Sequence, residues 1–153
     1  MRRGFTLIEL LVVIAIIGVL SAVIIASLSQ ARARGSDAAV EANLATIRVE
    51  AEIYYAQHHN YGPQIPSSVC TNSNSMFQTD TTILNAMSAA DSANGSAGQV
   101  KCAEQGTSYV IGADLVSASG NYWCVDSSGN SKKVPAGGAS PVQNLANNAT
   151  ACP

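Results

Sequence analysis

Between Phe5 and Leu28, across FTLIELLVVIAIIGVLSAVIIASL, the only ionisable side chain in 24 residues is Glu9. No other feature restricts the fold as strongly. Coiled as an α-helix the run is about 36 Å long, enough to cross a hydrocarbon core of about 30 Å. The rest of the chain is poorly suited to cover it: from residue 59 onward Ser, Asn, Gly, Ala and Thr dominate, with few Leu, Ile or Phe. A buried core helix would need a larger apolar body around it. A secretory signal peptide has an apolar core of about 7–15 residues before small residues at its cut. Ser29 with Ala31, or Ala31 with Ala33, imitates such a cut, but the apolar run is too long. Arg2 and Arg3 precede the run, so the positive-inside rule keeps the N-terminus cytoplasmic and sends the remainder outward.

A membrane anchor explains the length and the arginines, but not Glu9. An acid in a membrane helix costs about 2.5–3.5 kcal/mol at its centre and less near an end. Two readings stay open. Glu9 is an interfacial acid that snorkels to the cytoplasmic surface, or it awaits a positive partner. No Lys, Arg or His occurs elsewhere between Phe5 and Leu28, so such a partner comes from outside the span.

The stretch RRGFTLIELLVVIAIIGVL resembles the class III signal of type IV pilins and type II secretion pseudopilins: a short basic leader ending in Gly4, then Phe5, with Glu9 fifth after the cut. The likeness is close over residues 1–28 and looser through residue 58. In that family a membrane peptidase cuts after the glycine matching Gly4 and N-methylates the new terminus, here Phe5. The resemblance therefore implies a leader at 1–4 whose removal exposes an α-amino cation at Phe5. It also implies a partner for Glu9, the amino group of an adjoining copy or of its own chain. Such a pair interacts more strongly at low dielectric than in water, and either charge alone is costly there. Glu9 then serves as a register key when subunits stack. Where many members carry a proline this chain has Ala26, leaving Gly18 as the weak point of the run, at about 1 kcal/mol relative to Ala.

Past the transmembrane segment 5–28 the pattern turns amphipathic over 29–58. Val40, Leu44, Ile47, Ala51 and Tyr54 form one helical stripe, with Glu41, Arg48, Glu50 and Glu52 off it. The stripe is expected to pack on the chain's own head, since sustained heptads are missing. Ser36 or Asp37 can cap a restart after Gly35, or the helix runs on unbroken to about His58, roughly 80 Å in all. Gly62 and Pro63 then stop it. Tyr54, Tyr55 and Tyr61 are expected to seat its end on the head.

The head, 59–153, divides into a loop region 59–106, a β-meander 107–135 and a tail 136–153. Residues 62–78 read as a loop, 81–91 as a short helix and 92–99 as a flexible connector. SYVIGADLV (108–116) alternates as a strand with Tyr109, Ile111, Ala113 and Leu115 on one face, followed by YWCVD (122–126) and SKKVP. The expected fold class is α+β: a long N-terminal helix and a small head with an antiparallel sheet, a layout similar to the pilins.

Cys70, Cys102, Cys124 and Cys152 all lie in the head. An even count beyond a membrane-directing segment favours disulfides in an oxidising compartment, and the wide gaps disfavour a zinc site. Of three connectivities, Cys70–Cys102 with Cys124–Cys152 is preferred, because each closes a neighbouring segment and the second pins the tail to the sheet. A free buried thiol at Cys102 or Cys124 is the alternative. So thin a core needs such staples.

Little else carries chemistry. Adjacent helical residues point about 100° apart, so His58 and His59 do not share a metal in the usual way and read as a polar helix end. Asp114 and Asp126 lie on different expected strands and could meet to hold Ca²⁺, as loops in the related pseudopilins do, but no dense acidic loop accompanies them and solvated aspartates are the expectation. Asn94 and Asn148 match glycosylation acceptors formally. No phosphate loop, nucleophile elbow or close carboxylate pair occurs, so neither an enzyme nor a cofactor is expected. A net charge of −2 offers no sign of a nucleic-acid partner.

The resemblance points to a structural filament subunit. Its partners would be further copies of itself, the prepilin peptidase, the cytoplasmic membrane before assembly and the pilus assembly machinery, and it would end in a surface pilus. The alternatives are a pseudopilin working in the periplasm and a secreted ligand-binding module whose N-terminus is an export signal.

Overall fold

The computed structural model describes residues 5–63, 70, 72–95, 100–135 and 151–153. Helix α1 spans Leu7–His58 and passes Gly18 and Gly35 without a break. The chain divides into two units, Met1–Ala33 and Arg34–Pro153. In the first, every described residue up to Arg32 is exposed, including Leu7 at 83% and Ile25 at 68%. This part of α1 is long and apolar enough to cross a membrane, and its most apolar stretch is unburied.

The second unit is built on the expected stripe. Val40, Leu44, Ile47 and Ala51 are fully buried and share one core with Tyr61, Phe77, Ile83, Tyr109, Ile111 and Val125. Tyr54 and Tyr55 pack against that core. The Tyr61 ring lies 4.7 Å from Tyr55 and 4.8 Å, edge on, from Tyr109, so the end of α1 is seated through a run of aromatic rings.

Asp37 does not cap a restart. Its carboxylate accepts from the Val116 amide at 2.6 Å and from the amide and hydroxyl of Ser117, which holds the segment after the second strand to α1. Replacing Asp37 with Ala orphans these donors and is expected to cost the head about 1–3 kcal/mol, read as a lower thermal midpoint. Asp37→Asn keeps one acceptor and is expected to lose less.

The region 59–106 holds more regular structure than a loop. After α1 come α2 (Met76–Thr79), α3 (Thr81–Asn94) and strand β1 (Lys101–Gln105). Ser75 caps α2, accepting from the Phe77 amide, and Asp80 caps α3, accepting from Thr82 and Ile83. α3 runs three residues beyond the expected Asp91 and ends at Gly95, whose φ of 79° suits a left-handed cap.

β1 joins β2 (Ser108–Asp114), β3 (Asn121–Asp126) and β4 (Ser131–Pro135) in a four-stranded antiparallel meander of order β1-β2-β3-β4. Tyr109, Ile111 and Ala113 lie on the face shared with α1. Ala103, Val110, Tyr122, Cys124, Val134 and Cys152 form a second core, placed by strand alternation on the opposite face. The sheet is thus buried on both sides. Disulfides join Cys70 to Cys102 and Cys124 to Cys152, with Cα separations of 5.5 and 5.9 Å. The first ties β1 to the segment after α1, and the second ties the C-terminal end to β3. Most of the expected tail and the glycosylation match at Asn148 lie outside the described residues.

Candidate functional site

Phe5 lies just ahead of α1 and is 75% exposed; Gly4 and the leader lie outside the described residues. Thr6 is the last residue before the helix, which makes Glu9 its third helical position. The Thr6 amide donates to Glu9 Oε2 at 2.9 Å, the Thr6 hydroxyl donates to the same oxygen at 2.7 Å, and the Glu9 amide donates to Thr6 Oγ1 at 3.3 Å. This is a reciprocal capping box, T-x-x-E, which satisfies amides that a helix start leaves without intrahelical partners.

Glu9 therefore has a local role that the charge argument missed, although its signal stood in the sequence. Its carboxylate is held toward the helix start, one residue from the Phe5 amide nitrogen. It sits at the positive end of the helix dipole, where an anion is favoured. Oε1 takes no part in the box. Around Glu9 the surface is apolar, with Phe5, Ile8, Val12 and Val13 bordering a shallow groove. The arrangement offers an incoming cation an acid already oriented, in surroundings that exclude water once another apolar surface covers them.

The other candidates of the sequence take different places. His58 stacks on Tyr54 with ring centroids 4.0 Å apart, and its Nδ1 lies 3.0 Å from the Tyr54 carbonyl oxygen. No group of ligating side chains suited to a metal occurs among the described residues. Asp126 is not a solvated aspartate: it is buried and accepts from Ser128, Asn130 and the Cys152 amide, the last at 2.7 Å. Burial raises its pKa, but these hydrogen bonds outweigh burial and hold it below the usual carboxylate range. Asp126 thus fixes both the β3–β4 turn and the Cys152 end. Asp114 is half-buried, and burial, partly offset by Lys101, raises its pKa.

A helix with a wholly exposed apolar first part, capped through its one acid, together with a disulfide-closed head on a four-stranded meander, defines a pilin-like α+β protein. Residues 1–25 match the model of the prokaryotic N-terminal methylation motif. The chain is also similar to the type IV wide pilus major component PilA4 of Thermus thermophilus, 48% identical over 59 residues. That similarity covers 39% of this chain and 45% of the relative, so it spans less than half the length of either. No solved structure matches. Both findings are a likeness to type IV pilins, carried by the N-terminal motif and by a 59-residue similarity.

Proposed function

We propose that this chain is a structural subunit of a type IV pilus-like filament. It is inserted in the cytoplasmic membrane, cut between Gly4 and Phe5 by a prepilin peptidase and methylated on the new Phe5 amine. It then polymerises through α1, and the filament is displayed at the cell surface. One observation carries the reading: an apolar helix surface exposed from Leu7 to Leu28 that holds a single, pre-oriented acid, the fifth residue after the proposed cut. In the membrane lipid covers that surface, and in a filament the helices of other copies replace it. During the exchange Glu9 meets the Phe5 ammonium of an adjoining copy, which would otherwise be a buried unpaired cation. Only subunits stacked in the register that joins these charges avoid that cost. The similar Thermus thermophilus protein is a major pilus component, which favours a pilus over a secretion piston.

Intact-mass and N-terminal analysis of the mature protein tests the processing. The expected result is a chain beginning at Phe5 with one methyl group on its amine. A chain that keeps Arg2 and Arg3, or one that begins near Arg32 or Arg34, contradicts it.

A further inference from the structure

Glu104 is 1% exposed and sits where three parts of the head meet. On β1 it pairs with Tyr109 of β2, so its side chain shares the face turned to the α1 core. Oε2 accepts from the Ser75 hydroxyl at 2.8 Å, and Ser75 is the cap of α2. Among the described residues Oε1 is buried without a hydrogen-bond partner. The chain leaving α1 presses on the same carboxyl: a Cβ built at Gly62 would lie 2.9 Å from the Glu104 carboxyl carbon. Three backbone bonds close this corner. Tyr61 N–H donates to the Gly106 carbonyl at 2.7 Å, Gly106 N–H to the Gly62 carbonyl at 3.1 Å, and Met76 N–H to the Tyr61 carbonyl at 3.1 Å.

The elements around the corner bring few charges. α1 carries Arg48 and Glu52, the latter accepting from the Tyr61 hydroxyl at 3.0 Å. The end of α1 adds Tyr54, Tyr55 and His58, followed by Tyr61; β2 carries Tyr109 and Asp114, β3 Tyr122 and Asp126, β1 Lys101, α2 none, and α3 Asp91 with Asp80 as its cap. None of these charges perturbs Glu104. Burial alone, opposed only by the Ser75 hydrogen bond, pushes its pKa up to about 7.

We infer that Glu104 is a proton-operated latch in the head, neutral and closed in acid, and strained open when its proton leaves. A neutral carboxyl suits a dry corner, whereas a carboxylate there has an unsatisfied oxygen and no cation to compensate it. Because the folded pKa lies above the unfolded value, the latch contributes stability that is complete below the unfolded value. That stability declines as pH rises from there and is gone once pH passes about 7. The acidity of the outer medium then sets how firmly the end of α1, the α2 cap and β1 are held together, independently of how the chain assembles.

Amide hydrogen exchange on the full chain in detergent micelles, corrected for intrinsic rates, tests the latch. Between about pH 5.5 and about pH 8.5 the Tyr61, Met76 and Gly106 amides are expected to lose protection by on the order of tenfold or more, relative to amides of β3. In Glu104→Gln, which keeps the shape but cannot ionise, the loss is expected to vanish. An equal loss in both proteins, or none in the natural chain, overturns the inference. Should the Gln variant fail to fold, a carbon-13 titration of the natural chain decides. A glutamate midpoint near 7 that tracks the protection loss supports the latch, and a Glu104 midpoint in the ordinary carboxylate range overturns it.

Discussion

Glu9→Gln is expected to leave membrane insertion and the helix start unchanged while cutting filament yield at least tenfold. Gln at the third helical position still completes a capping box with Thr6, so this variant separates charge from cap. What it removes is the anion proposed to meet the ammonium of the next subunit. Leaving one partner of a buried pair uncompensated costs about 3–5 kcal/mol, and even the lower figure corresponds to more than a hundredfold in an association constant. Glu9→Ala loses both roles and is expected to be more severe, again without loss of insertion, because it makes the span more apolar. The complementary variant is Thr6→Val. It removes the hydroxyl that donates to Glu9 at 2.7 Å but keeps the acid. A lost cap costs about 1 kcal/mol, so filaments are expected to persist at near-normal yield. Sheared filament mass per cell, compared with subunit in the membrane fraction, reads all three. Normal filaments from Glu9→Gln, or a Thr6→Val defect as deep as that of Glu9→Gln, would mean that the acid serves only to start the helix.

The second large effect belongs to the disulfides. Their sequence separations are 32 and 28 residues, and in the chain-entropy model loops of that size make each bridge worth about 3–4 kcal/mol. Paired Ser substitutions at Cys124 and Cys152 are expected to lower the thermal midpoint of the head by about 15 °C. They are also expected to expose the second core around Val110, Tyr122 and Val134 to protease. The Asp126 carboxylate still receives the Cys152 amide, so the C-terminal end is loosened rather than freed. Paired Ser substitutions at Cys70 and Cys102 release β1 from the segment after α1 instead, moving cleavage toward that side. Unchanged cleavage in reductant would show that the two cores hold the head without staples.

How much of this was legible in the sequence depended on how local each cause was. The long helix could be read because a charge-free run and a 4-3-4 stripe are properties of neighbours on one helix. Strands β2, β3 and β4 were visible for a similar reason, since alternation and turn residues mark them. KCAEQ shows no alternation, and β1 forms because pairing with β2 gives its amides partners. Alternation revealed only one buried face of β2. The burial of Val110 on the other face depends on elements distant in sequence.

The polar residues follow the same division. Thr6 and Glu9 lie three apart, and their box is readable as T-x-x-E, a local signal distinct from the charge that sets Glu9 apart in its apolar run. Asp37 bonds groups about 80 positions away, and Asp126 reaches Cys152, 26 positions on. Nothing near either in sequence marks these partners, so both were misjudged, one as a possible local cap and the other as solvated. Glu104 was equally hidden. An acid in a polar stretch reads as surface until Ser75 and Gly62 are seen against it.

The pairing of Glu9 with a neighbour's amine is tested most directly by an electron cryomicroscopy map of the assembled filament in which the first residues are resolved. The account predicts a chain beginning at Phe5, with the Phe5 nitrogen within ion-pair distance of the Glu9 carboxylate of an adjoining copy. A well-ordered filament whose chains still carry Gly4, or whose Glu9 touches only its own Thr6 with every neighbouring Phe5 nitrogen out of reach, would contradict it.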